Sequence, residues 1–319
     1  MGLFDLSVNE LYDYQGTNPK PEDFDEYWDR GLKEMAMTEP DVLLQPAYPH
    51  PAFDCFDLWF NGTGNARIHA KLVVPRRAEF PVPAVLRFHG YTGSAGEWTS
   101  LMEVAASGYV VAALDVRGQG GWSEDTGGVK GNTLHGHIIR GLEDENPDHL
   151  LFRHIFLDTA MLARVVGGMK EVDASRIAVY GGSQGGGLSL ACAALANVKL
   201  AAVWYPFLSD YQRVWNLDLA RDAYSELTEF FRHTDPTHAR EKETFTRLGY
   251  IDVQHLACRI RGKVRMYTGL MDTICPPSSQ FAAFNKIRSD KQVIFYPDFG
   301  HEGLPGSTDA MVAWFAQNL

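Results

Sequence analysis

The sequence has few cysteines, few basic residues and no long hydrophobic run. Its four cysteines include no Cys-x-x-Cys pair, so we expect isolated thiols in a reducing cytoplasm. No stretch approaches the ~18 apolar residues of a membrane span, and no basic region with a following apolar run predicts a secretory signal.

Lysine and arginine total 29 against 40 acidic residues, a net charge of −11. This charge repels phosphate backbones and anionic membranes, so we expect a small neutral partner, not nucleic acid or membrane.

Motifs for nucleotides and metals are missing as well. The sequence contains neither a Gly-x-x-x-x-Gly-Lys-Ser/Thr loop nor a Gly-x-Gly-x-x-Gly turn. His301-Glu302 is not followed by the second histidine of His-Glu-x-x-His, and His135-x-His137 alone lacks the remaining ligands of a zinc site. We therefore expect no cofactor and no metal.

The pattern along the chain predicts one α/β unit over residues 1–319. Residues 21–35 have the spacing of an amphipathic helix, and the alternating runs 55–60 and 66–74 flank a glycine-containing turn typical of an antiparallel hairpin. After residue 82, short apolar runs alternate with helical stretches, which predicts a buried, mostly parallel sheet with right-handed crossovers. These runs are 84–88, 109–116, 176–180, 200–205, 263–270 and 291–296.

Three further segments have a predicted role in this arrangement. The longest crossover helix is expected at residues 150–172, before the strand that ends at Gly181. Residues 118–141 are glycine-rich and polar without periodicity, so we expect a long excursion loop. Residues 209–250 are helical, charged and aromatic, and an insertion between core strands typically covers a site. We interpret them as a helical cap, although any single aromatic there is more readily explained by helix packing.

The strongest functional motif is Gly181-Gly182-Ser183-Gln184-Gly185, which lies between a predicted strand and a predicted helix. A nucleophile on such a tight turn has unusual backbone angles, and its neighbours two positions away must be small. The alternative is a glycine-rich turn with a capping serine. The strand-turn-helix setting favours a nucleophile elbow with Ser183 as the nucleophile.

A serine nucleophile requires a histidine base and an orienting carboxylate, in the chain order Ser, Asp or Glu, His. Of the eleven histidines, only His301 follows the last predicted strand. Asp272 comes directly after the preceding strand, where it can reach a histidine on the next connection. Asp298 is the rival acid, and each carboxylate has a loop-capping role as its alternative. We prefer Asp272 because the chain order requires an acid one strand before the base.

An oxyanion hole requires two amide donors, and the loop at Tyr91 supplies the second. We assign the backbone N–H groups of Tyr91 and Gln184 to the developing oxyanion, because the first follows an early core strand and the second follows the nucleophile. His89 lies within the preceding strand end, which favours a structural hydrogen-bonding role over that of a catalytic base.

Three motifs together resemble carbohydrate esterase family seven, the acetyl xylan esterases and cephalosporin C deacetylases. They are Arg117-Gly118-Gln119, Gly181-x-Ser183-Gln184-Gly185 and His301-Glu302. The resemblance implies an α/β-hydrolase fold, the triad Ser183, Asp272 and His301, and the oxyanion donors Tyr91 and Gln184. It also implies removal of acetyl groups from short xylo-oligosaccharides and from cephalosporin C, and a homo-hexamer with inward-facing sites.

The sequence leaves open the role of Arg117 and the choice between the predicted function and its alternatives. Because an acetyl group offers no anion, we expect Arg117 to tie together loops below the site, with Glu302 as its partner; the alternative is a surface arginine. The function we predict is a serine esterase that works through an acetyl-enzyme. The alternatives are a peptidase or longer-chain carboxylesterase of the same fold, or a binding protein that has lost turnover.

Overall fold

The computed structural model describes residues 4–126 and 134–319, and within them nine strands form one sheet. The strands are β1 (Leu43–Pro49), β2 (Phe53–Asn61), β3 (Arg67–Pro75), β4 (Val82–Phe88), β5 (Val110–Leu114), β6 (Val172–Gly182), β7 (Leu200–Trp204), β8 (Lys263–Gly269) and β9 (Lys291–Tyr296). Their order is β1-β2-β3-β5-β4-β6-β7-β8-β9. The β1-β2, β2-β3 and β3-β5 pairs are antiparallel, and all pairs from β5-β4 to β8-β9 are parallel. This is the predicted α/β-hydrolase fold with an N-terminal antiparallel hairpin.

Helices cover both faces of this sheet. They are α1 (Val8–Asp13), α2 (Phe24–Met37), α3 (Trp98–Ala105), α4 (Leu151–Gly167), α5 (Gln184–Leu195), α6 (Tyr211–Asn216), α7 (Ser225–Thr234), α8 (Glu241–Leu248), α9 (Val253–Leu256), α10 (Pro277–Lys286) and α11 (Ser307–Asn318). The larger hydrophobic core includes residues of α4 and α5, and the smaller core includes residues of α3 and α11. None of the helices in the described ranges is long and apolar enough to cross a membrane.

The sheet positions the site because its parallel strands end at one edge. All five residues of β5 and β7 are buried, as expected for strands covered on both faces. The first turn after β6 and the loops after β4, β7, β8 and β9 therefore lie along the same edge. Sequence motifs far apart in the chain meet there.

The two predicted insertions differ in how much of them the structure describes. Residues 209–250 contain α6, α7 and α8, and their apolar side chains join the larger core of the molecule. Within 118–141 the described parts, 118–126 and 134–141, hold no helix or strand. Residues 127–133 lie outside the described residues.

The first strand and first helix have no counterpart in the sequence pattern. β1 has every residue exposed and carries proline at two positions, so it lacks the alternation of a half-buried strand. It lies at the sheet edge, and its pairing with β2 shifts register between Pro46 and Tyr48; edges and bulges are the places in a sheet where proline is tolerated. α1 has only six residues and begins at a capping box between Ser7 and Glu10.

Candidate active site

Ser183 lies on a sharp turn between β6 and α5, with φ 56° and ψ −121°. A positive φ is strained for a residue with a side chain, and such strain is concentrated at functional sites. A Cβ atom at Gly181 would lie 2.6 Å from the carbonyl of Gly185, and one at Gly185 would overlap the carbonyl oxygen of Phe88. The glycines two positions before and after Ser183 therefore allow the turn to pack against β4.

His301 and Asp272 are joined by a hydrogen bond of 2.9 Å between Nδ1 and Oδ2. A carboxylate only accepts, so Nδ1 carries the hydrogen and Nε2 is left as an acceptor. Asp272 is fully buried, and its Oδ1 accepts from the amides of Ile274 at 2.9 Å and Cys275 at 2.8 Å. These amides fix the carboxylate and hence the imidazole. Asp298, the rival acid, is exposed.

Ser183 and His301 line the same cavity of about 580 Å³, beside Gly90 of the predicted oxyanion loop. Asp272 is not among the residues that line this cavity. The ring of Tyr205 packs on the imidazole at a centroid distance of 4.4 Å. Sequence reasoning missed Tyr205, although its position directly after β7, the strand next to β6, is a signal that could have identified it.

The predicted oxyanion loop is held by uncharged hydrogen bonds. His89 donates from Nδ1 to the Gly90 carbonyl at 2.7 Å, and its Nε2 accepts from the amide of Val116 at 3.0 Å. Burial lowers the pKa of His89, which favours the neutral ring that this bonding requires. His89 therefore connects two loops and has a structural role.

Gln119 connects this loop to the turn at Ser183. Its Oε1 accepts from the amide of Thr92 at 2.9 Å, and its side-chain amide pairs with that of Gln184 through bonds of 2.7 and 2.9 Å. Gln119 and Gln184 are both fully buried. Gln119, the third residue of the Arg117-Gly118-Gln119 motif, therefore holds two segments in a fixed relative position. The backbone amides of these segments are the predicted oxyanion donors.

Comparison with known proteins identifies the family. The profile described as acetyl xylan esterase (AXE1) matches residues 1–319. The chain belongs to this family. Acetyl xylan esterase 1 from Thermoanaerobacterium sp. JW/SL YS485 is 54% identical and superposes with a TM-score of 0.95, covering 98% of this chain and 99% of that one. Acetyl xylan esterase from Paenibacillus sp. R4 is 35% identical, with a TM-score of 0.89 and coverage of 98% and 100%.

A curated relative agrees with these structures. Acetyl esterase Axe7A from Xylanibacter ruminicola is 24% identical over 333 residues, which cover 98% of this chain and 73% of that protein. As a member of the acetyl xylan esterase family, the chain is a carboxylic ester hydrolase. Within residues 4–126 and 134–319, no group of three or more histidines, cysteines, aspartates or glutamates is placed to hold a metal ion.

In this acetyl xylan esterase family member, the prediction that Arg117 pairs with Glu302 is wrong. Arg117 forms a two-bond ion pair with Asp158 of α4, at 2.6 and 2.7 Å, and donates to the carbonyl of Thr63 at 3.1 Å. Glu302 is exposed and accepts from the amide of Gly300 at 3.0 Å. Arg117 still connects separate segments of the chain. Its partner Asp158 could not be predicted, because no local sequence pattern indicates which residue of a distant helix will contact Arg117.

The backbone conformation explains why the middle residue of the Arg117-Gly118-Gln119 motif is glycine. Gly118 has φ 72°, in the left-handed region that favours glycine. The turn it permits directs Arg117 towards α4 and Gln119 towards the oxyanion loop. One short motif thereby serves both the core and the site.

Glu226 of α7 is a further residue that sequence reasoning missed. It is fully buried; its Oε1 accepts from the hydroxyl of Tyr91, and its Oε2 accepts from the amide of Ile138 at 2.7 Å. The Tyr91 hydroxyl in turn accepts from the amide of His137 at 3.3 Å. Tyr91, whose backbone N–H is a predicted oxyanion donor, therefore has its side chain held by Glu226 of the 209–250 segment.

Burial raises the pKa of Glu226 from 4.5 to about 7, against the opposing effect of the backbone N–H groups of 136–139. The folded chain therefore binds more protons than the unfolded chain between these two values. The free energy of unfolding accordingly falls as the pH rises through this window. The stabilisation from the protonated carboxyl is complete below pH 4.5 and is lost above pH 7.

Replacing Glu226 by glutamine should reduce this pH dependence, because the amide does not titrate. We expect the fall in Tm between about pH 5 and about pH 8 to be smaller in Glu226→Gln by ~3 °C. Thermal unfolding followed by circular dichroism measures the two values. The pKa of Asp252 is also raised to about 7 by burial, but this group is present in both proteins and cancels in the difference. Equal falls in the two proteins would contradict the prediction.

Proposed function

We propose that this chain is a serine esterase that removes acetyl groups from short xylo-oligosaccharides and other small acetyl esters such as cephalosporin C. The observation that carries this proposal is the His301–Asp272 pair of 2.9 Å at a cavity that also holds Ser183 at a positive φ. Membership of the acetyl xylan esterase family supports the acetyl ester as substrate.

In the proposed reaction, Nε2 of His301 takes the hydroxyl proton of Ser183 while Oγ attacks the acetyl carbonyl. The amides of Tyr91 and Gln184 stabilise the oxyanion, and the link through Gln119 keeps them in place. The imidazolium then protonates the departing sugar hydroxyl as its bond to the acetyl carbon breaks, which leaves an acetyl-enzyme. Water attacks that ester with the same base, and acetate and free Ser183 result.

Asp272 has two effects in this scheme. It keeps the hydrogen on Nδ1, so that Nε2 is free to accept, and its charge stabilises the imidazolium that forms in the transition state. The two backbone amides that bind its Oδ1 hold the carboxylate at the distance that this requires.

An acyl-chain series tests the proposal against a longer-chain esterase. We expect kcat/KM for p-nitrophenyl acetate to exceed that for the butyrate by ~10-fold or more, because an acyl site that fits acetyl, as the proposal requires, is overpacked by added methylenes. Acetate release from acetylated xylo-oligosaccharides, measured enzymatically, should accompany it. A higher kcat/KM for p-nitrophenyl octanoate would favour the longer-chain esterase. Absence of turnover on every ester would favour a binding protein.

The proposal includes an assembly and a compartment. The resemblance to carbohydrate esterase family seven supports a homo-hexamer, and the exposed apolar side chains of Leu43, Leu44 and Tyr48 on the edge strand β1 suit burial against another copy. The four cysteines are free thiols, which fits a reducing cytoplasm.

A further inference from the structure

Arg87 lies on β4 and lines the same cavity as Ser183 and His301. Its neighbours on the strand, Leu86 and Phe88, point into the larger core, while Val85 points into the smaller one. Since side chains alternate along a strand, Arg87 points to the side of Val85. There its guanidinium lies close to Gly96 and Ser100, at the start of α3. In the β4-β6 register, Arg87 is paired with Tyr180, which lines the cavity too.

The guanidinium of Arg87 has no carboxylate partner among the described residues. It donates to Oγ of Ser100 at 2.7 Å, and that hydroxyl gives its own hydrogen to the carbonyl of Glu97 at 2.7 Å. The buried arginines Arg117 and Arg153, by contrast, form ion pairs with acidic side chains. The hydrogen bond to Ser100 replaces only part of the hydration of this half-buried charge, and no carboxylate forms an ion pair with it, so the guanidinium favours an anionic ligand.

The surroundings of Arg87 favour a carboxylate on a sugar. The fork of N–H donors in a guanidinium matches a carboxylate through two parallel bonds. The hydroxyl of Tyr180 has no hydrogen-bond partner in the described part of the chain, which leaves it available as a further donor. Trp204 lines the same cavity, stacks on Tyr267 at 4.9 Å and is held by a bond of 2.9 Å from Nε1 to Ser307. Trp204 is 9% exposed, so a small, fixed part of its ring is left to contact the apolar face of a pyranose.

The strand spacing sets where on the substrate the carboxylate must lie. Tyr180, the partner of Arg87 in the register, precedes Ser183 by three residues, so their Cα atoms are ~10 Å apart along an extended strand. An acetyl group is too short to reach that far from the nucleophile, so the carboxylate belongs to the alcohol portion of the ester. A separation of ~10 Å corresponds to about two sugar rings.

We propose that Arg87 forms a subsite for a uronic acid carboxylate, so that the preferred substrates are acetylated xylo-oligosaccharides that carry an acidic side group. This inference rests on the proposed function and names its substrate class. The net charge of −11 repels anions at long range, so the preference must come from this local cation.

Competitive inhibition of p-nitrophenyl acetate hydrolysis tests the subsite without requiring saccharide deacetylation. The two inhibitors are a xylotriose that carries one 4-O-methylglucuronic acid and the same oligosaccharide with its carboxyl group reduced to an alcohol. For the wild-type chain we expect the acidic inhibitor to have a Ki ~10-fold lower than the reduced one, with a smaller ratio at high salt. The ratio of the two Ki values within each protein removes any change in the basal rate.

Three variants separate a specific subsite from general charge effects. Arg87→Gln should bring the ratio of Ki values close to one, and Arg87→Lys should retain an intermediate ratio because it keeps the charge but loses the fork. Arg176→Gln is the matched control, since Arg176 lies on β6, pairs with Asp173 at 2.7 Å and does not line the cavity; it should retain the full ratio. Equal Ki values in the wild-type chain, or a preference that survives Arg87→Gln, would overturn the inference. Failure to release acetate from neutral acetylated xylo-oligosaccharides would instead overturn the proposed function.

Discussion

Ser183→Ala is expected to lower kcat for p-nitrophenyl acetate by ~10,000-fold or more, because no other group replaces the attacking oxygen. Ser183 faces the cavity from a turn at φ 56°, and alanine fits the same backbone with one atom fewer. The fold should therefore persist. Steady-state hydrolysis with a protein concentration high enough to detect the residual rate measures the effect.

Two controls keep this result interpretable. Ser175→Ala removes the hydroxyl of an exposed serine that bonds to Asp173 at 2.6 Å, and it should leave kcat within ~2-fold of the wild-type value. The Tm of Ser183→Ala should match that of the wild-type chain to within a few degrees. A rate for Ser183→Ala within ~10-fold of wild type, with the fold intact, would remove Ser183 as the proposed nucleophile.

The second large effect concerns stability. Asp158→Ala should lower the free energy of unfolding by ~3–5 kcal/mol, because it leaves a buried guanidinium without its counterion. Both oxygens of Asp158 bind Arg117, and both side chains are 2% exposed. Urea unfolding of the two proteins at one pH measures the difference.

The exposed pair between Arg76 and Asp54 is the matched control. Its side chains are 47% and 46% exposed, so Asp54→Ala should cost no more than ~1 kcal/mol. A double variant, Arg117→Met with Asp158→Leu, should be more stable than Asp158→Ala, since it removes both buried charges together. A loss below ~1 kcal/mol in Asp158→Ala would show that the buried pair contributes no more than a surface pair.

The sequence predicted the parts of the fold that depend on local spacing, and the same spacing led to the proposed site residues. Strands such as β7 are continuous apolar runs because helices cover both faces, and the glycines around Ser183 are required by its turn. Ser183, Asp272 and His301 could be proposed as a triad for the same reason: each follows a recognisable strand, in the order that a triad requires. β1 was not, because a strand exposed on both faces has no pattern of burial.

Contacts between distant segments were beyond the sequence pattern. The Arg117 motif is conspicuous, but its partner Asp158 lies 41 positions later, on a helix whose other residues are almost all buried. Glu226 is one of several acidic residues in a charged segment, and only the fold brings it to Tyr91. Tertiary packing decides which carboxylate becomes buried, and no local pattern in a single sequence identifies that carboxylate.

The paired amides of Gln119 and Gln184 have a consequence for the orientation of the groups around them. Turning over one amide alone would place the two carbonyl oxygens against each other and the two NH₂ groups against each other, so each side chain dictates the orientation of the other. The Gln119 oxygen is thereby kept towards the amide of Thr92. Since neither group ionises, this arrangement retains its polarity in acid and in base for as long as the chain stays folded.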